Sequence, residues 1–343
     1  MENIGIGFII LKIIVVIGII FLTVMGLTLL ERKISGWVQD RWGPNRVGPS
    51  GVLQPIADAV KFLLKEDIIP SHVDRFLYLL APALILIPAL LTFAVIPFGG
   101  KLVFLTEAKP LVINFQIADL NIGILYVLAI ASLGVYGIVV GGWASNNKYS
   151  LLGGLRSSAQ MISYEIAMGL AIISVILLSG SLRLNDVVVS QMDLWNVIRQ
   201  PLAFIIFIVA SFAETNRLPF DLPEAEQELV GGYHTEYSSM KFASFMLSEY
   251  INLITASALI VTLFLGGWHV PFLFDVWQPS ELIRHIIQII AFALKTGFIL
   301  FVFMWVRWTL PRFRYDHLMN IGWKVLLPLA LLNIVITGIV LAI

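Results

Sequence analysis

The sequence contains no cysteine and few charged side chains, since only 13% of its 343 residues are Asp, Glu, Lys or Arg. The lack of cysteine excludes disulfide bonds, thiolate metal sites, iron–sulfur clusters and catalytic thiols. A soluble domain has about 25% charged residues, so this chain carries too little charge to cover a surface that faces water. Its 22 basic residues balance its 22 acidic residues, which argues against nucleic-acid binding through net charge.

Apolar residues make up 59% of the chain and fall in long runs. A membrane-spanning helix needs about 20 mostly apolar residues. The sequence therefore predicts an all-α polytopic integral membrane protein with about eight transmembrane helices, built as a single membrane domain over residues 1–343. The expected spans are 4–30, 76–98, 121–143, 160–180, 195–213, 240–266, 286–308 and 323–343. The fifth has the shortest clean apolar run, from Pro201 to Ala213.

Basic residues are concentrated in alternate loops. The loops 31–75, 144–159, 213–241 and 307–324 contain 15 Lys and Arg residues, against 5 in the loops between the other spans. Because cytoplasmic loops carry an excess of basic residues, the sequence predicts that these four polar loops are cytoplasmic. Both termini are then expected on the outer side of the membrane, which is the periplasmic side in a bacterium.

The first of these loops contains two Gly-Pro pairs, which favour turns. They precede the segment from Val52 to Lys65, in which apolar residues alternate with Asp58, Lys61 and Lys65 at helical spacing. This pattern predicts a short amphipathic helix at the membrane surface. On these features alone, an anchor that binds lipid headgroups is the simpler interpretation.

The third polar loop is acidic although it lies on the basic side. Between positions 214 and 236 it has a single base, Arg217, against six carboxylates: Glu214, Asp221, Glu224, Glu226, Glu228 and Glu236. One interpretation is a solvated acidic face that docks a basic partner. The other is a group of protonatable side chains that titrate together. Pro219 and Pro223 on either side of Asp221 predict an irregular turn rather than a continuous helix.

Ionisable residues also lie within or at the ends of the apolar spans: Glu165, Glu214, Glu249 and Lys295. A charge at the centre of a bilayer costs about 2.5–3.5 kcal/mol on insertion scales, so such residues usually face a polar interior. One alternative is structural pairing, for example of Lys295 with Glu249. Because the glutamates come from different helices beside the acidic loop, the pattern favours a path for protons or cations.

Motifs for other chemistry are missing from the sequence. There is no phosphate-binding loop and no dinucleotide-binding glycine pattern. The five histidines are widely separated, so none forms the closely spaced pair typical of a metal or haem site. The residues alone therefore leave two classes open: an ion-coupled carrier, or one subunit of a larger assembly.

Several blocks of sequence resemble the H-subunit family of bacterial respiratory complex I, the counterpart of mitochondrial NADH dehydrogenase subunit 1. They include Glu31-Arg32-Lys33, Gly43-Pro44-Asn45-Arg46-Val47-Gly48-Pro49, Gly153-Gly154-Leu155-Arg156-Ser157-Ser158-Ala159-Gln160, Ala213-Glu214-Thr215-Asn216-Arg217-Leu218-Pro219-Phe220-Asp221 and Arg307-Trp308-Thr309-Leu310-Pro311-Arg312. The chain departs from the family pattern at Ser239, where glycine is expected, and at His317, where glutamine is expected.

The resemblance implies a membrane component of proton-pumping NADH:quinone oxidoreductase, located between its peripheral and membrane arms. Quinone would be the bound substrate, whereas flavin and iron–sulfur clusters would belong to partner subunits, and this chain alone would contain no catalytic residue, haem or metal site. The implied partners are the quinone-site and iron–sulfur subunits of the peripheral arm, the small membrane subunits, the antiporter-like subunits and membrane lipids. The implied location is the bacterial inner membrane.

The resemblance also implies roles for particular residues. The implied quinone-binding residues are Arg32, Gln39, Arg41, Trp42, Arg46 and Asp58. The implied proton-relay residues are Glu31, Glu165, Glu214, Asp221, Glu224, Glu226, Glu228 and Glu249, with supporting charges at Arg156, Arg217, Lys295 and Arg307. Two alternatives remain at this point: the equivalent component of a membrane-bound hydrogenase or related complex, and a free-standing ion-coupled transporter, for which internal inverted symmetry would be expected.

Overall fold

Helices account for nearly all of the regular structure. The computed structural model describes residues 6–104, 111–222, 226–271, 273 and 279–342. In chain order its elements are α1 (Ile6–Val38), α2 (Gln54–Leu64), α3 (Arg75–Leu91), β1 (Lys101–Phe104), β2 (Leu111–Asn114), α4 (Gly123–Ala144), α5 (Lys148–Ser179), α6 (Leu184–Val189), α7 (Asn196–Arg199), α8 (Pro201–Glu214), α9 (Glu226–Leu229), α10 (Ser239–Phe264), α11 (Glu281–Thr309) and α12 (Tyr315–Ala342). Within this part of the chain, seven helices are long and apolar enough to cross a membrane. The predicted polytopic helical membrane fold is confirmed.

The fifth predicted span is a helix, but a short one. α8 has 14 residues, which at 1.5 Å per residue gives about 21 Å, less than the roughly 30 Å of a hydrocarbon core. Just before it, the backbone at Gln200 leaves the helical conformation (φ −135°, ψ 58°) and separates α8 from α7. The eight predicted spans therefore correspond to seven long helices and one short helix that follows a break.

Several helices continue beyond the apolar runs that predicted them. α5 begins at Lys148 and not at residue 160, so the prediction of a loop over 144–159 is wrong for most of its length. The side chain of Asn147 caps this helix by accepting a hydrogen bond from the backbone N–H of Tyr149 at 2.9 Å. Hydropathy marks only the part of a helix that lies in lipid, whereas backbone hydrogen bonds continue through the polar residues that follow.

A small antiparallel sheet, which the sequence did not predict, lies between α3 and α4. Lys101 of β1 is opposite Asn114 of β2 in its register. The ammonium of Lys12 in α1 donates a hydrogen bond to the carbonyl of Asn114 at 2.8 Å. The sheet therefore holds the first half of α1 against the bundle.

α10 lies at the centre of the bundle. It is the most fully buried of the seven long helices, while α1 is the least buried. Close helix packing depends on small residues at the crossing of α4 and α5. A Cβ added at Gly142 would lie 2.6 Å from the backbone oxygen of Ser150. Only glycine therefore allows these two helices to approach so closely.

The four polar segments that carry most of the basic residues contact one another on one side of the bundle. The amide of Asn146 donates to the carbonyl of His72 at 3.0 Å. The backbone N–H of Phe313 donates to the carbonyl of Pro219 at 3.1 Å. This side, called the basic side below, carries α2, the turn after α8 and the start of α10.

The loops between the other helix ends also contact one another. Arg183 pairs with Asp119, with its Nε 2.6 Å from Oδ1 of the carboxylate. Hydrogen bonds from Arg183 lower the pKa of Asp119 below its ordinary value, although burial opposes this effect. Asp119 is therefore ionised at neutral pH, and its ion pair fastens the loop before α4 to the loop before α6.

Candidate functional site

A buried ion network lies where α1, α10 and α11 meet the turn that follows α8. It consists of two carboxylates, Glu31 and Glu249, and two guanidinium groups, Arg217 and Arg307. Glu31 and Arg217 are only 5% and 4% exposed. Buried charges are tolerated when they are paired and hydrogen-bonded. Both carboxylates are paired with an arginine here, and Glu31 is also hydrogen-bonded.

Glu31 accepts hydrogen bonds from three side chains. Nη1 of Arg217 donates to both carboxylate oxygens, at 3.0 Å in each case. The hydroxyl of Tyr250 donates to Oε2 at 2.7 Å, and Nη1 of Arg307 donates to Oε1. Because hydrogen bonds between charged partners are roughly twice as strong as neutral ones, these contacts hold Glu31 in place as a carboxylate.

Arg217 also contacts the second carboxylate of the network. Its Nε lies 2.8 Å from Oε1 of Glu249, and its guanidinium lies 4.4 Å from the ring centre of Tyr250. Burial lowers the pKa of Arg217, but Glu249 and Glu31 raise it by more, so the net pKa is above its ordinary value and the group stays charged. The alternative that Glu249 pairs with Lys295 is therefore wrong.

The turn over residues 215–222 positions Arg217. The backbone at Asn216 is left-handed, with φ of 50°. Nε2 of Gln160 in α5 donates to the carbonyls of Ala213 and Phe220, at 2.7 Å in each case. The predicted irregular turn is confirmed over its described part, and a buried amide from a neighbouring helix holds its shape.

Glu214 and Glu165 are less well partnered than the two carboxylates of the network. Glu214 ends α8, Glu165 lies in α5, and the two carboxyl groups are close enough to interact electrostatically. In the part of the chain that the structure describes, neither forms an ion pair with a basic side chain. They therefore differ from Glu31 and Glu249, which are held by arginines.

A cavity of about 30 Å³ lies between Glu214 and Glu249. Asn252 contributes an amide to its lining. One water molecule needs roughly 10–15 Å³ of such space, so the cavity has room for about two. A Cβ added at Gly134, which lines the cavity from α4, would meet no atom within 4 Å. The absence of a side chain at this position therefore keeps the space open.

On the basic side, Arg32 of α1 pairs with Asp58 of α2. Nη1 of Arg32 lies 2.6 Å from Oδ2 of Asp58. The other carboxylate oxygen accepts a hydrogen bond from Nε2 of Gln54 at 3.2 Å. The structure therefore brings together two of the six residues that the resemblance assigned to quinone binding.

The other four lie in the loop between α1 and α2. Nε of Arg41 donates to Oε1 of Gln39 at 2.6 Å. Trp42 and Arg46 are exposed, Trp42 by 89%. The loop depends on Gly51, which has φ of 79° and at which an added Cβ would lie 2.2 Å from a backbone oxygen. These four side chains are not packed into the bundle.

α2 is the predicted amphipathic helix and begins two residues later than expected, at Gln54. Pro55 is its only buried residue. The apolar side chains on or beside this helix that are exposed are Val52, Leu53, Ile56, Val60, Leu63 and Leu64. This apolar face is therefore open to a ligand or to lipid.

The acidic loop forms ion pairs with neighbouring segments. Oδ2 of Asp221 lies 2.8 Å from Nη2 of Arg312, and Asp221 is 5% exposed. Oε2 of Glu228 lies 2.6 Å from Nη1 of Arg156. Each of these two carboxylates thus has its own arginine, with Asp221 buried and Glu228 exposed.

Two predicted relay residues lie in or beside a gap in the described residues. Glu224 is outside the described residues, and Glu226 begins the short helix α9. Any contact of Glu224 therefore also lies outside them. Sequence reasoning missed Gln160 and Tyr250, since only the fold shows that this amide holds the turn and that this hydroxyl contacts the network.

Lys295 lies at the C-terminal end of α10, the end opposite to the basic side. Its ammonium donates to the carbonyls of Leu265, Gly267 and His269, at 2.8, 3.1 and 2.6 Å. It also lies 4.5 Å from the ring centre of Trp195. A cation is favourable at the carbonyl end of a helix, so Lys295 caps α10 there.

The fold and the site define a class of protein: a multi-pass helical membrane protein with a buried ion network beneath one face. The NADH dehydrogenase family matches residues 11–338. The chain is 52% identical to the NADH-quinone oxidoreductase H subunit numbered 1 of Geobacter metallireducens, over 94% of each chain. It is 52% identical to the protein of the same name in Cytophaga hutchinsonii, over 91% of this chain and 90% of the relative. It is 53% identical to the NADH-quinone oxidoreductase H subunit of Protochlamydia amoebophila, over 91% of each chain.

This chain belongs to the NADH dehydrogenase family. The match and the identities extend over nearly the whole chain, so the resemblance read from the sequence blocks is confirmed.

Proposed function

We propose that this chain is the membrane component of a proton-pumping NADH:quinone oxidoreductase at the junction of its peripheral and membrane arms. The names of the relatives support the reaction. One structural observation carries the role of this chain: Glu31 and Arg32 are consecutive in α1, with Glu31 in the buried ion network and Arg32 paired with Asp58 of α2. A change at the α2 surface therefore acts on Arg32, which is adjacent in the chain to Glu31 of the network.

In this proposal quinone is a bound substrate beside α2. The exposed apolar face of α2 would contact the isoprenoid tail. The Arg32–Asp58 pair and the Gln39–Arg41 pair would form the polar part of the site, together with Trp42 and Arg46 from the same loop. The open face and the adjacent charges support this assignment, because a quinone needs an apolar wall and polar partners for its ring.

The coupling step follows from charge. Quinone reduction takes up two electrons and two protons, so negative charge would develop beside Asp58 and Arg32 once the electrons arrive and would persist until the protons neutralise it. A change in that pair would alter the position of Arg32 and, through α1, of Glu31 with its partner Arg217. Glu249 shares Arg217 with Glu31, so the change would pass to both carboxylates of the network.

From Glu249 the route continues through the cavity to Glu214 and then to Glu165. Waters in a polar cavity of this size can connect the two carboxyl groups. The acidic loop would lead towards the same carboxyl groups. In this proposal its members are Asp221, Glu224, Glu226 and Glu228, and the supporting charges are Arg156, Arg217, Lys295 and Arg307.

The rest of the reaction belongs to partners in this proposal. The chain, as a single membrane domain over 1–343, supplies no complete active site. Flavin and iron–sulfur clusters would lie in peripheral-arm subunits. Small membrane subunits and antiporter-like subunits would bind its other sides, and both termini would face the periplasm.

Replacing Arg32 by alanine in the assembled complex tests the quinone site. We expect quinone-linked NADH oxidation to fall by about tenfold or more, because loss of a charged hydrogen-bonding group costs roughly 1.5–3 kcal/mol. Reduction of a hydrophilic acceptor by the peripheral arm should persist, since it does not use this site.

The matched control is Arg75→Ala, which removes an exposed arginine at the start of α3 and should leave both activities at the parent level. A parental quinone-linked rate in the assembled Arg32→Ala complex would contradict the assignment. Equal loss of both activities would also contradict it.

A further inference from the structure

Ser239 joins two elements that lie far apart in the sequence. It is the first residue of α10, it is only 3% exposed, and its backbone is left-handed with φ of 52°. Its hydroxyl lies 3.0 Å from the carbonyl oxygen of Phe62 and 2.9 Å from that of Lys65. The first carbonyl lies in the last turn of α2 and the second belongs to the residue that follows the helix, so the hydroxyl contacts a helix end more than 170 residues earlier in the chain.

The acceptors are groups that the helix itself leaves unpaired. The last four carbonyls of an α-helix have no partner within the helix. In α2 the carbonyl of Lys61 accepts from the N–H of Lys65, while those of Phe62 and Lys65 face Ser239. Ser239 therefore caps α2 from outside and fixes the direction in which the helix ends.

Neighbouring residues strengthen the same junction. The ammonium of Lys241 lies 2.7 Å from Oδ1 of Asp67. The rings of Phe62 and Phe242 are 6.1 Å apart between centres. The first turn of α10 thus contacts the end of α2 and the residues that follow it through a hydrogen bond, an ion pair and an aromatic contact.

α2 has little else to hold it in place. It has 11 residues and a single buried one, Pro55. Isolated helices shorter than about 12–15 residues are marginal in water, so few buried contacts mean that ties at the two ends decide its position. The Arg32–Asp58 pair ties it to α1, and Ser239 ties it to α10.

We propose that Ser239 is a positioning residue that fixes the proposed quinone-facing helix α2 to α10, the helix that carries Glu249. The proposal rests on the proposed function for its effect on quinone, whereas the capping contact itself does not. Glu249 lies ten residues after Ser239, or about 15 Å along the helix. The hydroxyl thus links the position of α2 to the helix that presents one carboxylate of the ion network.

Two substitutions separate the hydroxyl from the backbone. Ser239→Gly removes the hydroxyl and suits the left-handed backbone, because glycine adopts positive φ without strain. Ser239→Ala removes the hydroxyl and keeps the strain of a side chain at that φ. Ser244→Ala is the control, since Ser244 is half-buried and its hydroxyl donates to the carbonyl of Met240 in its own helix at 2.8 Å.

The first measurement is amide hydrogen exchange of residues 62–68 in the assembled complex. We expect exchange to be about fivefold faster in both Ser239 variants, the effect of losing one net hydrogen bond. The Ser244→Ala variant should match the parent. Exchange in Ser239→Gly as slow as in the parent would overturn the proposal, because it would show that only the backbone conformation matters.

The second measurement is steady-state quinone reduction. A displaced α2 should raise the KM for quinone several-fold and lower kcat less, and reduction of a hydrophilic acceptor should not change. Faster exchange with a parental KM would overturn the positioning role and leave only a structural cap. If Arg32→Ala also had no effect on quinone reduction, the proposed quinone site would fail, whereas a normal Arg32→Ala defect would confine the failure to Ser239.

Discussion

Arg217 and Glu249 form a buried ion pair in which Nε lies 2.8 Å from Oε1, and their side chains are 4% and 17% exposed. The pair connects the turn after α8 with the middle of α10. Since Arg217 also holds Glu31 of α1, one guanidinium joins three separate parts of the fold.

Replacing Arg217 by alanine should destabilise the protein strongly. It would leave Glu31 and Glu249 buried with only Arg307 to compensate them, and breaking a buried pair typically costs about 3–5 kcal/mol. We expect loss of assembled complex, measured as the yield and thermal stability of the purified complex. Arg217→Lys keeps the charge and should restore part of that yield.

The control for this change is Arg314→Ala. Arg314 forms an exposed ion pair with Asp316, and such pairs contribute about 0–1 kcal/mol. This variant should assemble as the parent does. If Arg217→Ala were as stable as Arg314→Ala, the ion network would not be the support that its burial indicates.

Filling the cavity between Glu214 and Glu249 should lower the number of protons pumped for each quinone reduced, without changing any charge. Gly134→Val places a side chain where an added Cβ meets no atom within 4 Å. We expect proton pumping to fall several-fold because the waters that connect the carboxyl groups would be displaced. The measurement is pumping in proteoliposomes for each quinone reduced.

Gly297→Val is the control for the cavity-filling substitution Gly134→Val. Gly297 is also a helical glycine with open space around its Cβ position, but it is exposed on α11. It should pump as the parent does. Equal pumping by the two valine variants would count against a hydrated route through this cavity.

Sequence and fold contributed differently to these conclusions. Hydropathy located the helices because lipid-facing residues are apolar, but it placed the start of α5 twelve residues too late because polar residues continue that helix. The sequence indicated Glu249 as a charge within a span and left pairing with Lys295 open as one alternative. The actual partner, Arg217, comes from an irregular turn, and no local pattern shows which distant carboxylates a turn will face.

The orientation of the chain can be tested with single cysteines, because the natural sequence has none. Lys148→Cys lies on the basic side and Ser280→Cys at the opposite ends of the helices, and both positions are exposed. We expect an impermeant thiol reagent added to intact cells to label position 280 and not position 148, since basic loops remain in the cytoplasm. Labelling of position 148 alone would reverse the proposed orientation.

The central claim is that protonatable carboxylates of this chain couple quinone reduction to proton movement, and the most direct measurement is proton pumping by Glu214→Gln and Glu165→Gln complexes. Glutamine keeps the shape and hydrogen bonding of the side chain but cannot titrate, so pumping in proteoliposomes, normalised to assembled complex, should fall several-fold while reduction of a hydrophilic acceptor persists. Glu281→Gln, an exposed carboxylate in the first turn of α11, should pump as the parent does. Parental pumping in both the Glu214 and the Glu165 variants would contradict the claim.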